Sequence, residues 1–193
     1  FKIGDSVVIS WIKKKVNRVY DRVNYQFKGN IINTGGCNTL LKYSLISDDR
    51  LFKIKKKNFK YLRESVLLGC AIPTASNAIL NQARIEKNSR VLIMGMGGLG
   101  YSSLFVLNYL NCKEIVCIDN NINKLKILKK NKNFKFFHLN NKNFKKFLND
   151  NYEKFDLIID CTGSKKLIEK TLSMCKKFTG KFILIGNTKK KEM

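Results

Sequence analysis

Three glycines and one acidic residue have the types and the spacing to bind a diphosphate and a ribose. The stretch VLIMGMGGLG (91–100) contains Gly95, Gly97 and Gly100 in the pattern G-x-G-x-x-G, and Asp119 follows 19 positions after Gly100. In such a pattern the first glycine allows a sharp turn, the second lets a diphosphate approach the main chain, and the third lets a helix pack closely. The N–H groups and the positive dipole end of that helix then bind the diphosphate. The pattern predicts an adenine dinucleotide site.

The identity of the acidic residue favours one dinucleotide over the other. Asp119 closes an apolar run, and a carboxylate there accepts hydrogen bonds from both ribose hydroxyls but repels a 2′-phosphate. This favours NAD over NADP. Lys124 lies about one helical turn later and could add a ribose contact, which leaves NADP as an alternative. The other alternative is a glycine-rich turn between a strand and a helix that binds no nucleotide.

The elements around this motif alternate between strand and helix from about residue 89. The apolar runs show no alternation of polar residues, which is typical of strands buried on both faces of a parallel sheet. Strands joined by helical crossovers indicate a doubly wound α/β domain. The predicted strands cover 90–95, 114–119, 134–139, 155–160 and 181–186, and the predicted helices 98–110, 121–130, 143–151 and 164–178.

The residues before position 62 have a different pattern. Strand-like runs at 4–10, 38–47 and 50–54 are separated by glycine, asparagine and charged residues, and no long helix is indicated. Residues 63–84 are predicted to be helical, with a break at Pro73. We therefore expect a partial β-rich domain over 1–62 and a nucleotide-binding domain over 63–193.

Composition limits the other functional classes. The net charge is +24, which raises the alternative of a basic module that binds nucleic acid. The basic residues, however, are spread along the chain, and only six of the 38 are arginines, so we expect compositional drift and no nucleic-acid partner. The six cysteines include no C-x-x-C pair. No apolar run approaches the roughly 20 residues that cross a bilayer, so we expect no membrane partner and a cytoplasmic location.

Six segments of the chain together resemble the medium-chain dehydrogenase/reductase family, in its zinc-dependent alcohol dehydrogenase branch. They are GDSVVIS, LLGCAIPTA, VLIMGMGGLG, CIDNNINKLKILKK, DLIIDCTGS and GKFILIG, in the order and at about the spacing of the family. The resemblance implies a Rossmann domain preceded by part of a β-rich GroES-like catalytic domain. It also implies an enzyme, an alcohol or polyol dehydrogenase that transfers hydride between an alcohol and NAD beside a catalytic zinc. The substrate partner is then a small alcohol or aldehyde, and the full-length protein a homodimer or tetramer.

The resemblance also assigns site residues. Cys70 in LLGC falls where the branch places a cysteine ligand of the catalytic zinc, although a helix cysteine without a chemical role is the alternative. Thr74 falls where the family contacts the nicotinamide end of the cofactor. The other cofactor contacts are implied in the glycine turn, after the next strand, and after the fourth and fifth strands: Gly95, Gly97, Gly98, Leu99 and Gly100; Asp119, Asn120 and Lys124; Cys161, Thr162 and Gly163; Ile185 and Gly186.

The chain also departs from the family, in which a sixth strand follows the fifth, so we expect the nucleotide-binding domain to lack its last strand. Residues 11–36 contain no cysteine, so the lobe that binds a structural zinc is absent, and no His-Glu segment precedes the GD turn. We expect an internal fragment whose other zinc ligands lie upstream of Phe1 and which alone does not turn over substrate. The single histidine, His138, is interpreted as structural or surface-exposed. A zinc-independent, NADPH-dependent enone or quinone reductase of the same superfamily remains an alternative function.

Overall fold

The computed structural model describes residues 1–14, 24–33, 36–128, 134–140 and 142–187. The chain forms two compact units, Phe1–Pro73 and Thr74–Met193, which are called here the first and the second unit. The sequence analysis placed this boundary eleven residues earlier, between 62 and 63. The difference arises because the 3₁₀ helix Glu64–Gly69 packs against the strand Val7–Ile9 of the first unit.

The first unit contains two small antiparallel sheets. Strand β1 (Val7–Ile9) pairs with β4 (Leu51–Lys53), and β2 (Asn24–Phe27) pairs with β3 (Asn30–Asn33). The two residues between β2 and β3 both have positive φ, as the tight turn of a hairpin requires. The described residues of this unit also form 3₁₀ helices at Asp48–Arg50, Lys56–Tyr61 and Glu64–Gly69.

Two predictions for the chain before β5 are wrong. The strand predicted over 38–47 does not form: this segment pairs with no described strand, and Leu40 is 96% exposed. The helical prediction over 63–84 is confirmed in extent, since the 3₁₀ helix Glu64–Gly69 is followed by α1 (Ala71–Ser76), which continues directly into the π-helical turns Asn77–Ala83, but the break lies at Cys70 and not at Pro73. Pro73 does not break the helix, because it lies in the first turn of α1, where its missing N–H removes no helical hydrogen bond.

The first unit buries little apolar surface. Among its described residues, Val8 is the hydrophobic side chain that falls in the buried class, whereas Trp11, Leu45 and Val66 are all more than half exposed. A β-rich segment that buries one apolar side chain has no core of its own. The expectation that it is part of a larger β-rich domain stays a prediction.

The second unit is a five-stranded parallel sheet with helices between its strands. The strand order is β7-β6-β5-β8-β9, and every neighbouring pair is parallel. This confirms the predicted doubly wound α/β fold. The strands are β5 (Arg90–Met94), β6 (Glu114–Asp119), β7 (Phe134–His138), β8 (Leu157–Asp160) and β9 (Lys181–Leu184); the helices are α2 (Gly98–Tyr109), α3 (Ile122–Leu128), α4 (Phe144–Asp150) and α5 (Lys165–Thr171).

The two faces of this sheet carry separate cores. On β5, Val91 and Ile93 belong to one buried cluster, and Leu92 and Met94 belong to the other. All four side chains have no exposed surface. Both faces of the central strand are therefore covered, which explains why its sequence is a continuous apolar run.

One predicted helix ends earlier than expected, and the end of another falls outside the described residues. The helix predicted over 164–178 ends at Thr171, and a 3₁₀ turn then leads to Cys175, which forms a parallel bridge with Phe155. Residues 129 and 130 of the helix predicted over 121–130 lie outside the described residues. None of the helices in the described ranges combines the length and the apolar character needed to span a lipid bilayer.

Candidate functional site

The first and third glycines of the motif are required by the fold. Gly95 has φ +88°, a conformation that side chains other than glycine rarely adopt, and its N–H donates to the Ile118 carbonyl at 2.8 Å. A Cβ on Gly100 would lie 2.0 Å from the Gly95 carbonyl oxygen. The sharp turn after β5 and the close packing of α2 on that turn therefore both depend on glycine, as the spacing predicted.

The middle glycines are not required by the fold. Gly97 has φ −92° and ψ −163°, which any residue adopts, and a Cβ on Gly97 or Gly98 would meet no atom within 4 Å. Gly97 is also the N-cap of α2 and provides no side-chain hydrogen bond to the first turn of this 12-residue helix. The space over the helix N-terminus is open, and the N–H groups there can bind an anion.

Asp119 lies beside this glycine turn. Its side chain is almost fully buried, and its carboxylate accepts hydrogen bonds from the Met96 N–H at 2.6 Å and the Asn121 N–H at 2.7 Å. The Lys124 ammonium lies 3.4 Å from the same carboxylate. Asp119 and the glycine turn were predicted to bind one ligand, and the hydrogen bond from Met96 connects them directly.

The turns after β8 and β9 reach the same edge of the sheet. The Asp160 carboxylate is fully buried and accepts hydrogen bonds from the Thr162 N–H at 3.0 Å, the Thr162 hydroxyl at 2.6 Å and the Gly163 N–H at 3.0 Å. A Cβ on Gly186 would lie 2.3 Å from the Gly163 nitrogen, and one on Gly95 would lie 2.6 Å from the Thr162 methyl carbon. The turn after β8 therefore packs between the turn after β9 and the first glycine of the motif.

Most predicted site residues consequently share one place. The edge of the sheet where the parallel strands end is called here the carboxyl edge. The predicted residues of the glycine turn, of the end of β6, and of the turns after β8 and β9 all lie at this edge. Ligands of doubly wound folds bind at this edge. Thr74 lies on α1 in the second unit, whereas Cys70 lies in the first unit, immediately before α1.

Cys161 lies at the carboxyl edge, and its thiol is held in the neutral form. Burial, and next the negative charge of Asp160, raise the pKa of Cys161 to about 12. Burial, and next the neighbouring Cys161, raise the pKa of Cys117 to about 12 as well. Neither thiol is a ready nucleophile at neutral pH, because the nucleophilic form is the thiolate. Cys161 can contact a cofactor only as a small neutral side chain.

A cavity of about 580 Å³ lies in the first unit. Its lining includes Val7, Ile9, Trp11, Cys37 and Cys70, and the Cys70 side chain is exposed. The volume is in the range of small-molecule sites, and the mixture of apolar side chains with a few polar groups is typical of them.

The described residues do not form a zinc site. Catalytic zinc is held by three protein ligands and an open position. Among the described residues no group of three or more His, Cys, Asp or Glu side chains could hold a metal ion, and Cys70 alone does not suffice.

Sequence reasoning missed two members of the site. Asp160 is the internal anchor of the Thr162 and Gly163 main chain, and the acid at the end of its strand, followed by C-T-G, repeats the position that identified Asp119. The Met96 N–H, which binds Asp119, could not be found, because a main-chain contact leaves no sequence signal.

Comparison with known proteins agrees with this geometry. A family profile described as zinc-binding dehydrogenase matches residues 98–193. Residues 98–193 of the chain belong to the zinc-binding dehydrogenase family. Among curated proteins, the chain is similar to the S-(hydroxymethyl)glutathione dehydrogenase of Komagataella pastoris, with 28% identity over 156 residues. It is also similar to the alcohol dehydrogenase class-3 of Caenorhabditis elegans, with 27% identity over 164 residues. Each alignment covers 78% of this chain and 41% of the relative.

Solved structures show the same fold at low identity. An alcohol dehydrogenase zinc-binding domain protein from Burkholderia ambifaria matches with a TM-score of 0.65 and 17% identity, over 75% of this chain and 39% of that protein. The enoyl reductase cyclopropanase CurF of the curacin A pathway matches with a TM-score of 0.61 and 19% identity, over 73% and 42%. The resemblance to the zinc-type family stated from the sequence is confirmed. The chain spans about 40% of the length of these relatives.

Proposed function

We propose that this chain carries the NAD-binding part of an alcohol or polyol dehydrogenase. The observation that carries the proposal is the open space at Gly97 and Gly98, where neither backbone conformation nor packing calls for glycine. A diphosphate that must approach the main chain at the start of α2 explains both glycines. The names of the curated relatives, which are dehydrogenases of alcohols or of a hydroxymethyl thiol adduct, agree with it.

The carboxyl edge would supply contacts for the diphosphate, the adenosine ribose and the nicotinamide half of NAD. The N–H groups at Gly98 and Leu99 would bind the diphosphate, and Asp119, flanked by Asn120 and Lys124, would bind the adenosine ribose. The Thr162–Gly163 and Ile185–Gly186 turns and Thr74 would contact the nicotinamide half. When bound, NAD accepts hydride from the alcohol carbon, and these residues position it for that transfer.

Cys70 is proposed as one zinc ligand of the intact protein. It is exposed on the cavity of the first unit, and this cavity would receive the alcohol or aldehyde. The residues described here do not complete the metal site, so we expect the 193-residue chain to bind NAD without oxidising alcohols. A cytoplasmic location and assembly of the intact protein into a homodimer or tetramer are parts of the same proposal.

A titration of the chain with NADH and with NADPH, followed by nicotinamide fluorescence, tests the proposal. In NADPH a phosphate replaces the 2′-hydroxyl of the ribose, so the buried Asp119 carboxylate would lose a hydrogen bond and repel the negative charge. We therefore expect NADH to bind at least about tenfold more tightly than NADPH, a difference of about 1.4 kcal/mol. Tighter binding of NADPH would favour the enone or quinone reductase alternative. Absence of binding by either nucleotide would overturn the proposal.

A further inference from the structure

His138 lies at the end of β7, beside the residue proposed to bind the adenosine ribose. In the parallel pairing of β6 with β7, Asp119 and His138 are direct partners, and the ladder continues with the Leu139 N–H donating to the Asp119 carbonyl at 3.0 Å. The imidazole is therefore at the carboxyl edge. It is the single histidine of the chain, and the sequence assigned it no role at this site.

The imidazole binds the turn that follows Asp119. His138 Nε2 lies 2.8 Å from the Asn120 carbonyl oxygen. A carbonyl only accepts hydrogen bonds, so Nε2 must carry a proton and donate. The side chain is partly exposed, and it makes this contact from one strand to the turn that leaves the neighbouring strand.

The same peptide group also contacts Asp119. The Asn120 carbonyl and the Asn121 N–H belong to one planar peptide unit. His138 donates to the carbonyl of this unit, and the N–H of the unit donates to Asp119 Oδ1 at 2.7 Å. The plane is thus fixed at both ends, and its orientation determines whether the Asp119 carboxylate keeps this donor.

We propose that His138 is a positioning residue for the adenosine end of the dinucleotide, acting through the 120–121 peptide on the Asp119 carboxylate. The inference rests on the proposed function. Without the imidazole donor, the 120–121 peptide can rotate, and Asp119 Oδ1 loses the N–H that holds it in place. The carboxylate then spends less time in the orientation that accepts both ribose hydroxyls, and the affinity for the adenosine half falls.

The test compares His138→Leu with His138→Gln. The glutamine amide nitrogen reaches about as far as Nε2 and can donate to the Asn120 carbonyl, whereas leucine cannot. Binding of ADP-ribose is measured by calorimetry, and binding of an ADP-ribose whose adenosine lacks the 2′-hydroxyl is measured beside it. Phe136→Leu, a change on the same strand, controls for a general loosening of β7.

We expect His138→Leu to weaken ADP-ribose binding about tenfold, the size of one hydrogen bond to a charged group, and to bring the affinities of the two ligands closer together. His138→Gln and Phe136→Leu should stay within about threefold of the unchanged chain. Equal losses for both ligands in His138→Leu would show a merely structural role and overturn the inference. Unchanged ADP-ribose affinity in His138→Leu would also overturn the inference, as would an equal loss of affinity in His138→Gln. Failure of the unchanged chain to bind ADP-ribose would instead overturn the proposed function.

Discussion

The Met96 N–H and the Asp119 carboxylate are joined by a 2.6 Å hydrogen bond between residues 23 positions apart. The distance between the main chain of the glycine turn and Asp119, the last residue of β6, is therefore fixed before any ligand binds. Since Met96 precedes the open Gly97 by one residue, the proposed diphosphate and ribose contacts are held at one spacing. A site that is already ordered loses less conformational entropy when it binds its ligand.

Replacing Asp119 with asparagine should change the choice of dinucleotide. The amide keeps one acceptor oxygen for the Met96 N–H but removes the charge, and the Lys124 ammonium beside it becomes available to a phosphate. We expect NAD affinity to fall about tenfold and the ratio of NAD to NADP affinity to move toward one. Calorimetric titration with both nucleotides measures the ratio.

Asp156→Asn provides the control for this change. Asp156 precedes β8, at the opposite end of the strands from the carboxyl edge, and binds Lys176 and the Arg90 N–H. It should leave the NAD to NADP ratio unchanged. A ratio that stays the same in Asp119→Asn, or changes equally in both variants, would contradict the role of Asp119.

Two glycines of the same turn should respond differently to alanine. In Gly100→Ala the new methyl would lie 2.0 Å from the Gly95 carbonyl oxygen, so we expect a loss of about 2 kcal/mol or more in the free energy of unfolding. In Gly98→Ala the methyl enters open space at the start of α2, and we expect a change within about 0.5 kcal/mol. Urea unfolding followed by circular dichroism measures both. Similar losses in the two variants would contradict the close packing at Gly100.

The cysteines should differ widely in reactivity. With pKa values raised to about 12 by burial, Cys117 and Cys161 have roughly one thiol in ten thousand ionised at pH 8, and the thiolate is the reactive form. We expect iodoacetamide to modify the exposed Cys70 far sooner than either of them, as read by mass spectrometry of peptides. Modification of Cys161 in the native chain as fast as Cys70 would show that the turn after β8 is open.

Acid should weaken the contact of β8 with β5. Burial alone would raise the pKa of Asp156, but hydrogen bonds from Lys176 and from the Arg90 N–H outweigh burial and lower this pKa below its ordinary value. Its contribution to stability is therefore complete above the unfolded pKa near 4 and is lost as the pH falls through the lower native pKa.

The measurement is the melting temperature at pH 6 and pH 3 for the unchanged chain and for Asp156→Asn. We expect the variant to be less stable at pH 6 and the difference to shrink at pH 3, because pH 3 lies below the unfolded pKa and the unfolded chain then gains stability by binding a proton. A difference of the same size at both pH values would show that the charge of Asp156 contributes nothing.

The second unit could be predicted from the sequence because its signals are local. The uninterrupted apolar run of β5 marks a strand covered on both faces, and the spacing of Gly95 and Gly100 matches a turn whose geometry needs those glycines. The place of Asp119 followed from the rule that parallel strands end at one edge. Each inference used residues within one strand–turn–helix segment or its neighbour.

The features that could not be predicted from the sequence depend on contacts between residues far apart in the chain. Residues 38–47 have the apolar composition of a strand, but a strand forms only beside a partner, and no described strand pairs with them. The role of His138 depends on Asn120, 18 positions earlier, which becomes a neighbour only through the β6–β7 pairing. The anchoring by Asp160 depends on two main-chain N–H groups that no sequence pattern shows.

The central claim is that a diphosphate lies against the main chain at Gly97, and calorimetric titration of NAD into the unchanged chain and into Gly97→Ala tests it most directly. A methyl at Gly97 meets no atom within 4 Å beyond its chain neighbours, so the variant should fold and lose at most about 1 kcal/mol in the free energy of unfolding, the cost of an alanine N-cap. We predict saturable binding of one NAD by the unchanged chain and binding at least about tenfold weaker in the variant. Equal affinities for the two proteins, or no binding by the unchanged chain, would contradict the account.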